Sequence, residues 1–542
     1  MLSSYCRFEI AVLAALCVLP FAADGQDAAE AQAKPRFDVW EYRVEGNTVL
    51  DAVVIERVVY GQLGPEKTID DIDAARGALE QAYRDAGYPT VFVDVPEQKV
   101  DGGLVRLAVT EGRVSRLKIT GARYFSNGWI RDQLPEASPG SVPRIDKFQA
   151  QLRALNVRSA DRLLTPVLRP GPDQGTVEIE VKVQDKLPVN GSLEINNRNS
   201  ANTTDSRIEA SVRYDNLWQR DHSFGLQYQV APQNRAETEV IAASYVLRPK
   251  ASGSAFAFYA LSSDSDIATV GSDINVIGKG HVFGARAILP LAGGQGLIHS
   301  LQLGVDYKDF DETIGFNQEG EEDIVTPINY LNWSLGWNAT LPRESRTHTL
   351  DLAVNFGVRG LANEDNKLVD GNVTGEFADK RYRAIPNYFY LEGGYDLLQS
   401  LPWWGSSMAL RLHGQLTPQA LISNEQFAAG GAESVRGYYE GELLGDYGFQ
   451  ASLEWRSPNL GPKLWKQIDN LYGFGFLDGA RLLVNDPLPD QVDAATLLSA
   501  GLGLRMLADP LTAGLDLAVP LKDGSTTRKG DERLLFSLRY GF

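Results

Sequence analysis

The sequence predicts a transmembrane β-barrel of about 16 antiparallel strands, preceded by two α+β domains. Three observations predict this fold: segments in which apolar residues alternate with polar or small ones, an internal duplication, and a terminal strand that ends in an aromatic residue. The 542 residues are too many for one ordinary core. Hydrophobic residues make up 43% of the chain and the mean hydropathy is −0.22, which is too polar for a bundle of membrane helices.

Residues 1–25 are predicted to be a secretory signal peptide. An uncharged apolar run of 14 residues extends from Ile10 to Ala23, and small residues precede a plausible cleavage site after Gly25. A buried N-terminal helix is the alternative interpretation. Residues 26–36 are predicted to be a short Ala-rich linker.

Composition and motifs argue against several classes of function. The net charge is −18, so no nucleic-acid partner is expected, because phosphate binding needs a basic face. Both cysteines, Cys6 and Cys17, lie in the predicted signal peptide, which leaves the mature chain without a thiolate or a disulfide. The sequence has no phosphate-binding loop with Lys-Ser or Lys-Thr, no Gly-x-Ser-x-Gly and no cluster of metal ligands. We therefore expect no enzyme, no cofactor and no metal site.

Residues 37–113 are predicted to form the first α+β domain, with the element order β-α-α-β-β. Asp51 is placed to cap a short helix, and Thr68 with Asp71 forms a capping box for a longer one. The apolar residues of the longer helix repeat at helical spacing: Ile72, Ala75, Leu79 and Tyr83.

Residues 114–186 are predicted to form a second domain of the same kind. Gly121 follows the first strand of this block and lies 75 residues after Gly46, which follows the first strand of the preceding block. Ser126 can cap the first helix of the block, and the second has apolar residues at helical spacing: Ile145, Phe148, Leu152 and Leu155. The repetition indicates an internal duplication.

Residues 187–542 are predicted to form the barrel. Leu301, Leu303, Val305 and Tyr307 alternate with polar or small residues, and the same pattern recurs in strands of roughly ten residues beside long polar loops, such as 309–326 and 361–379. A β-sandwich strand shows the same alternation, and it is the recurrence of ten-residue strands beside long polar loops that favours a membrane barrel. The length suits about 16 strands, while 14 or 18 fit roughly as well.

At the end of the chain, an apolar residue occupies every second position up to the last residue. This apolar face comprises Leu534, Phe536, Leu538, Tyr540 and Phe542. In a soluble secreted β-protein this strand would be an adhesive edge, whereas in a barrel it pairs with the first strand and faces lipid. A membrane barrel is therefore the better interpretation.

Two duplicated β-α-α-β-β units before a barrel resemble the POTRA domains of the BamA-like outer-membrane superfamily. Two such units in a chain of 542 residues are most similar to the two-partner secretion transporters, the TpsB family of the hemolysin secretion/activation type. The join between the units resembles that family closely, and the resemblance covers essentially the whole mature chain. The matching residues there are Pro96–Gln98, Gly102, Leu104, Glu111–Val114 and Ile119–Gly121.

Two motifs in the predicted barrel strengthen the resemblance. The family's VRGY element, carried on a loop that folds back into the barrel, is matched by Val435, Arg436, Gly437 and Tyr438, and its F-x-D-G strand motif by Phe476, Asp478 and Gly479. Gly445-Asp446 and Glu454–Pro458 lie between them, as in the family. The resemblance implies that Arg436 pairs with Asp478 on the inner wall, with Glu454 as a second partner.

Elementary chemistry supports that pairing. A guanidinium inside a lumen needs a carboxylate, which its planar fork can hold bidentately. By themselves, an Arg-Gly-Tyr is more often a surface turn and an Asp-Gly is often a tight turn between strands. Because a buried pair adds little net stability, a registry or switch role is the better interpretation of Arg436 and Asp478.

The resemblance implies a protein of the outer membrane of a Gram-negative bacterium, with its POTRA domains in the periplasm. Its expected partners are a secreted adhesin- or hemolysin-like exoprotein with an N-terminal secretion domain, outer-membrane lipid, and the barrel assembly machinery, for which Phe542 resembles the terminal signal. A BamA-type insertase for outer-membrane proteins is the alternative, and a passive porin is a further one.

The mechanism that we expect has two steps. The exoprotein adds a strand to a POTRA sheet edge, such as Leu104–Val109 or Val177–Val183, and the loop with Arg436 then moves aside. Many family members carry an N-terminal plug helix, but the residues after Gly25 show no helical stripe. The inward loop is therefore expected to be the sole obstruction.

Overall fold

The computed structural model describes residues 35–542, apart from 250–252, 266, 271–273, 278, 295, 312, 315–323, 362–366, 370–371 and 490. The predicted signal peptide and residues 26–34 of the predicted linker lie outside the described residues. The described chain divides into two compact units. The first holds residues up to 115 together with 140–146 and 171–177, and the second holds the rest of the chain to residue 542.

The first α+β domain contains two helices beside a three-stranded sheet. Its elements are β1 (Phe37–Val39), β2 (Glu41–Glu45), α1 (Ala52–Tyr60), β3 (Gly64–Lys67), α2 (Ile69–Asp85), β4 (Phe92–Asp94) and β5 (Leu104–Thr110). Asp51 accepts a hydrogen bond from the backbone N–H of Val53, and Thr68 and Asp71 form the predicted capping box. The predicted helical stripe of α2 is buried against the sheet.

The second α+β domain repeats the pattern. Its elements are β6 (Arg113–Thr120), α3 (Asn127–Asp132), a 3-10 turn (Pro135–Ala137), α4 (Ile145–Arg158), β7 (Arg162–Pro170) and β8 (Thr176–Asp185). Ser126 caps α3 by accepting a hydrogen bond from the N–H of Trp129.

The strand order in the two small sheets corrects one expectation. The order is β2-β5-β4 in the first sheet and β6-β8-β7 in the second. Leu104–Val109 and Val177–Val183, suggested above as free edges, therefore lie in the central strands β5 and β8, whose two sides are both paired. Sequence alternation cannot distinguish a central strand from an edge in a sheet of three, because both bury one face.

The remainder of the chain is rich in strands. They are β9 (Val189–Asn196), β10 (Arg207–Leu217), β11 (His222–Val230), β12 (Glu239–Leu247), β13 (Ala255–Asp264), β14 (Ile267–Val270), β15 (Ile274–Ile277), β16 (Gly280–Leu291), β17 (Ile298–Phe310), β18 (Thr313–Ile314), β19 (Ile324–Val325), β20 (Ile328–Pro342), β21 (Arg346–Gly357), β22 (Lys367–Val369), β23 (Asn372–Thr374), β24 (Phe389–Ser400), β25 (Ser407–Leu416), β26 (Phe427–Ala429), β27 (Leu443–Gly445), β28 (Tyr447–Arg456), β29 (Asn470–Leu483), β30 (Ala494–Ala508), β31 (Leu511–Pro520) and β32 (Arg533–Gly541). The short helices α5 (Glu376–Lys380) and α6 (Gly461–Leu464) and a 3-10 turn (Ser423–Glu425) interrupt them.

Sixteen of the described strands form a closed antiparallel barrel, as the sequence predicts. The short pairs β14–β15, β18–β19, β22–β23 and β26–β27 form separate hairpins in its loops. β32 closes the barrel against β9, with Tyr540 opposite Leu193, and the backbone of Phe542 exchanges two hydrogen bonds with Gly191 at 2.9 and 3.0 Å. Closure satisfies the backbone groups of the terminal strand, which is a requirement for a sheet in lipid. Among the described residues, no helix is both long and apolar enough to cross a membrane.

Alternation assigns one face of each barrel strand to lipid and the other to the lumen. Leu303, Leu335 and Leu352 are exposed on the outside, whereas Asp306, Asn332 and Asn355 are buried on the inside. The predicted terminal face is also exposed, with Phe536, Leu538, Tyr540 and Phe542 pointing outward. An apolar exterior with a polar interior is the pattern that a bilayer demands.

A buried ion pair joins the second α+β domain to the barrel. Arg162 at the start of β7 donates to Asp221 in the β10–β11 turn at 2.5 and 2.7 Å, and neither side chain is more than 2% exposed. The guanidinium also lies 4.9 and 4.7 Å from the rings of Phe125 and Trp129. These contacts fix β7 to the rim of the barrel from which β9 begins.

Candidate functional site

The loop between β25 and β28, residues 417–446, folds into the barrel and is called the inward loop here. β26 and β27 pair within it, which makes the loop a hairpin. Gly437 has a φ of 96°, a conformation that favours glycine, and a side chain there would crowd Ala518 and Pro520 on the wall. This glycine lets the backbone approach the wall closely beside Arg436.

Arg436 is held by two carboxylates on the lumen wall. Its Nε and Nη2 donate to the two carboxylate oxygens of Asp478 in β29 at 2.7 and 2.8 Å, and its Nη1 donates to Glu454 in β28 at 2.8 Å. The backbone N–H of Arg436 adds a bond to Asp478 at 3.2 Å, and Ser452 accepts from Nη2 at 3.2 Å. Arg436 is 1% exposed and Asp478 is fully buried, so both charges have left water.

Aromatic rings complete the seat of this guanidinium. The Cζ atom of Arg436 lies 3.6 Å from the ring centroid of Phe476 and 5.6 Å from that of Phe474. Both rings belong to β29 and alternate with outward residues, as Asp478 does. A cation over an aromatic face is stabilised by the ring quadrupole, most strongly where water is excluded. One strand therefore supplies both the carboxylate and the rings that face Arg436.

The neighbours of Arg436 in the motif fix the loop in other ways. Val435 is fully buried and packs in a cluster with Ala480, Leu482 and Leu497. The hydroxyl oxygen of Tyr438 lies 2.9 and 2.8 Å from the carbonyl oxygens of Leu498 and Lys522, and it accepts a bond from the N–H of Leu498 at 3.2 Å. The four motif residues thus contact the wall from β28 to β31.

Sequence reasoning missed several members of this site. Glu454 also accepts from Arg456 at 2.7 and 2.9 Å and lies 3.5 Å from Arg411, so three guanidinium groups share it. Strand alternation would have found the others. On β28, Ser452 and Arg456 face the same side as Glu454, and on β29, Phe474 faces the same side as Asp478. Gly479 faces away from the lumen, and its role in the strand motif does not involve contact with Arg436.

A cavity of about 1430 Å³ occupies the lumen beside the inward loop. Small residues line much of it, and they come from the first barrel strands: Ser192, Ser211, Gly225, Ala242 and Ser244. Charged side chains, among them Glu194, Glu209, Arg411 and Glu433, and apolar ones, such as Leu226 and Leu261, make up the rest of the wall. Among the described residues, no group of three or more His, Cys, Asp or Glu could hold a metal ion.

The inward loop is not the sole obstruction, contrary to expectation. A second segment, residues 375–388 with α5, packs Phe377 and Tyr388 inside the barrel against Leu421 and Ile422 of the inward loop. No local pattern in the sequence indicates this segment, because its contacts join residues far apart in the chain.

Comparison with protein families finds two matches. Residues 175–506 match the model of the haemolysin secretion/activation protein ShlB/FhaC/HecB, and residues 37–112 match that of the POTRA domain, ShlB-type.

Comparison with individual proteins agrees with those matches. The outer membrane transporter CdiB of Dickeya dadantii is 24% identical over 509 residues, covering 90% of this chain and 84% of that protein. The heme/hemopexin transporter protein HuxB of Haemophilus influenzae is 19% identical over 408 residues, covering 74% and 68%.

Solved structures share the fold. CdiB from Escherichia coli superposes with a TM-score of 0.65 at 17% identity and covers 96% of this chain and 93% of that chain. BamA from Haemophilus ducreyi lacking POTRA domains 1–3 superposes with a TM-score of 0.55 at 16% identity, covering 93% and 100%. At such identities the likeness concerns the fold alone.

Proposed function

Because the chain belongs to the haemolysin secretion/activation family ShlB/FhaC/HecB, we propose that it exports a separate adhesin- or hemolysin-like exoprotein with an N-terminal secretion domain. The chain is an outer-membrane β-barrel transporter whose POTRA domains lie in the periplasm. Its relatives are named as transporters too, and HuxB is named for heme and hemopexin. The exoprotein, the membrane lipid and the barrel assembly machinery are the partners that we propose.

One observation carries the proposal: a cavity of about 1430 Å³ with charged and small side chains in its wall lies inside a closed barrel, beside a loop that an ion pair holds to the wall. An extended polypeptide has backbone donors and acceptors that a polar, water-filled wall can satisfy. A fixed interior would serve a small solute as well. A hairpin loop held by a guanidinium and two carboxylates instead suits a passage that has to widen for a larger molecule.

The pair of Arg436 and Asp478 has the chemistry of a switch. Within the closed lumen the two charges have lost water and depend on each other, so breaking the pair there is costly. If incoming chain or water reaches them, hydration replaces the lost contact and the cost falls. We propose that arrival of the exoprotein triggers this exchange and displaces the inward loop. When the loop docks again, Glu454 guides Arg436 back to its position on the wall.

Docking is proposed at an edge of a POTRA sheet. β7 carries Pro166 and Pro170, which lack the N–H that a new strand would need. β6 has part of its length occupied, since Val114 exchanges backbone hydrogen bonds with Gly140 and Ser141. β4 is only three residues long, which leaves β2 as the edge that we favour for strand addition.

The test is export of candidate cargo by cells that carry wild-type protein, Arg436→Ala or Asp478→Ala. We expect export to collapse in both variants while the barrels still insert, as judged by heat-modifiable migration in gels. Normal export in both variants would refute the switch. If deletion of the gene leaves export intact but depletes other outer-membrane proteins, the transporter proposal gives way to the insertase.

The barrel offers a matched control for these variants. Arg505 and Asp516 also form an ion pair on the lumen wall, but this pair joins the neighbouring strands β30 and β31. The guanidinium of Arg505 lies 4.8 Å from the ring of Phe474, and among the described residues it makes no hydrogen bond to the inward loop. We expect Arg505→Ala to leave export largely intact. Equal loss in Arg505→Ala and Arg436→Ala would assign the effect to barrel integrity and not to the loop.

A BamA-type insertase is the second candidate, favoured by one feature. β32 and β9 share five paired residues, whereas β9 and β10 share eight, so the closing seam is the shorter of the two. An insertase needs a seam that opens toward lipid. Tethering the seam by cysteine bridges would abolish insertase activity, whereas export through the lumen would continue.

A further inference from the structure

The outer end of the lumen carries an apolar arc on five neighbouring barrel strands, β12, β13, β16, β17 and β20. Each of these strands places a buried apolar side chain on its inner face near its outer end: Val240, Leu261, Val282, Phe310 and Ile328. Such an arc facing open water would be costly. The outer end of the cavity lies against this arc, since Leu261 belongs to both.

A segment from the β21–β24 connection covers this apolar arc. Residues 375–388, called the lid segment, include α5 and bury Phe377, Ala384 and Tyr388 to 2% exposure or less. The rings of Phe377 and Tyr388 lie 5.4 and 6.2 Å from the ring of Tyr330 on the wall. Leu421 and Ile422 of the inward loop join the same cluster, so two loops together close this part of the mouth.

A buried carboxylate anchors the inward loop beneath the lid segment. Glu425 is 3% exposed and accepts a bond from the hydroxyl of Tyr390 at 2.7 Å. It is also bonded by the hydroxyl of Tyr330 and the ammonium of Lys308. All three donors lie on barrel strands, β17, β20 and β24, so Glu425 ties the loop to a different part of the wall from Arg436.

A second ion pair fastens the lid segment to the inward loop. Arg381 of the lid segment donates to both carboxylate oxygens of Asp446, one of them at 2.7 Å, and to the carbonyl oxygen of Asn485 at 2.9 Å. Asp446 is fully buried and accepts from the N–H of Leu421 at 3.0 Å and of Asn485 at 2.6 Å. One carboxylate thereby joins three outer connections: 358–388, 417–446 and 484–493.

We propose that the lid segment and the inward loop form an outer gate, latched by Arg381 on Asp446, which closes the lumen toward the cell exterior and opens for a polypeptide to leave. Only the identity of the passing molecule rests on the proposed function. Within the described part of the chain, the latch has no hydrogen-bond partner in common with Arg436, whose contacts lie on β28 and β29. Release of Arg436 alone therefore leaves the outer mouth shut.

An ion pair suits this position for a physical reason. Buried together, Arg381 and Asp446 satisfy each other, and removing one partner leaves an uncompensated charge. When the lid segment lifts, both groups reach the water outside the cell and regain their hydration. An apolar latch would instead expose its surface on opening, which would disfavour the open state.

The test measures ion conductance of the purified full-length protein in planar lipid bilayers, and sensitivity of cells to vancomycin, a large antibiotic that an intact outer membrane excludes. For Arg381→Ala and Asp446→Asn we expect the open population to rise about tenfold or more, because a buried charge loses its partner. Wild-type conductance in both variants, with heat-modifiable barrels, would overturn the proposal.

The same loops supply a matched control. Arg383 and Asp486 join the lid segment to the 484–493 connection at 2.6 Å, but their side chains are 60% and 39% exposed. An exposed pair contributes little, so Arg383→Ala should conduct like wild type. If Arg383→Ala leaks as much as Arg381→Ala, the buried latch is wrong.

A locking experiment covers the case in which Asp446→Asn fails to fold. The chain has no cysteine after Cys17, so the double variant Arg381→Cys/Asp446→Cys can be bridged selectively by a cleavable bifunctional maleimide. Bridging should abolish conductance and cargo export, and cleavage should restore them. Export that continues through the bridged protein would refute the gate, while failure of wild type to export any cargo would refute the proposed function and leave the conductance test standing.

Discussion

The two sides of the lumen wall differ in the side chains that they turn inward. On β9–β13 many of the inward residues beside the cavity are short, as at Ser192, Ser211 and Ser244. On β29 the inward positions carry Tyr472, Phe474 and Phe476, which lie beneath the inward loop. The cavity borders the first side, and the loop occupies the second.

Both sides use the same strand alternation and the same apolar exterior, so the barrel architecture does not account for the difference. It arises from which residues occupy the lumen-facing positions. On β9–β13, short polar side chains leave open space and offer hydrogen-bonding groups. On the other side, aromatic rings together with guanidinium groups form a surface on which a loop can dock. We infer that the β9–β13 side is the fixed wall of the passage and that the β28–β31 side is the wall on which the inward loop docks.

Filling the open side should have the largest effect. Ser244→Trp places a large ring in the cavity opposite Gly225, and we expect export and open-state conductance to fall to about a tenth or less, because pore width sets passage. Ile241→Trp is the control, since Ile241 lies on the outer face of the same strand and is 50% exposed. Unchanged export in Ser244→Trp would show that the passage runs elsewhere.

Removing one charge on the docking side should have the next largest effect. Asp478→Asn leaves Arg436 with only one of its two carboxylate partners. We expect the free energy that holds the inward loop on the wall to fall by about 3–5 kcal/mol. The reporter is Val435→Cys, because position 435 is fully buried while the loop is docked and cysteine behaves as a small hydrophobe. Maleimide should label this cysteine much faster in the Asp478→Asn background.

The matched comparison for that variant is Asp516→Asn, which breaks a pair on the same wall without touching the loop. In the Asp516→Asn background, maleimide should label the Val435→Cys reporter as slowly as it does in the protein without a second substitution. Equal rates in both backgrounds would show that the two sides of the wall do not differ in the way that we infer.

Replacing the ring beneath Arg436 should have a smaller effect. Phe476→Leu keeps an apolar side chain but removes the aromatic face 3.6 Å from the guanidinium, and we expect a loss of about 1–2 kcal/mol in loop docking. Phe474→Leu, at 5.6 Å, should lose less. If the two variants label the Val435→Cys reporter equally fast, packing and not the cation–π contact explains the seat.

The sequence predicts local features of this molecule well. Helix starts at Asp51 and Thr68 follow from short-range hydrogen bonding, and the inward and outward faces of the strands follow from alternation. Phe476 and Asp478 share a parity, so the alternation alone predicts that they face the same side of the wall. The contact of Arg436 with Asp478 came from the family resemblance, and its role as a switch stays a prediction.

Features that depend on distant contacts escape such reasoning. Arg381 and Asp446 are 65 residues apart, and nothing local to either marks them as partners. The central positions of β5 and β8 depend on which strands lie on each side, which alternation does not encode. The packing of the lid segment and the free sheet edges were missed for this reason, whereas the barrel was not.

The smallest effect expected on the docking side comes from a single hydroxyl. Tyr438→Phe keeps the buried ring but removes the oxygen that accepts from the N–H of Leu498 and lies 2.8 Å from the carbonyl oxygen of Lys522. A neutral hydrogen bond contributes about 1 kcal/mol net, so labelling of the Val435→Cys reporter should rise by about fivefold. A rise as large as that of Asp478→Asn would mean that Tyr438, and not the ion pair, dominates docking. The two sides of the wall would then differ in shape and not in charge. The inward loop would stay docked because the ring of Tyr438 fits the wall.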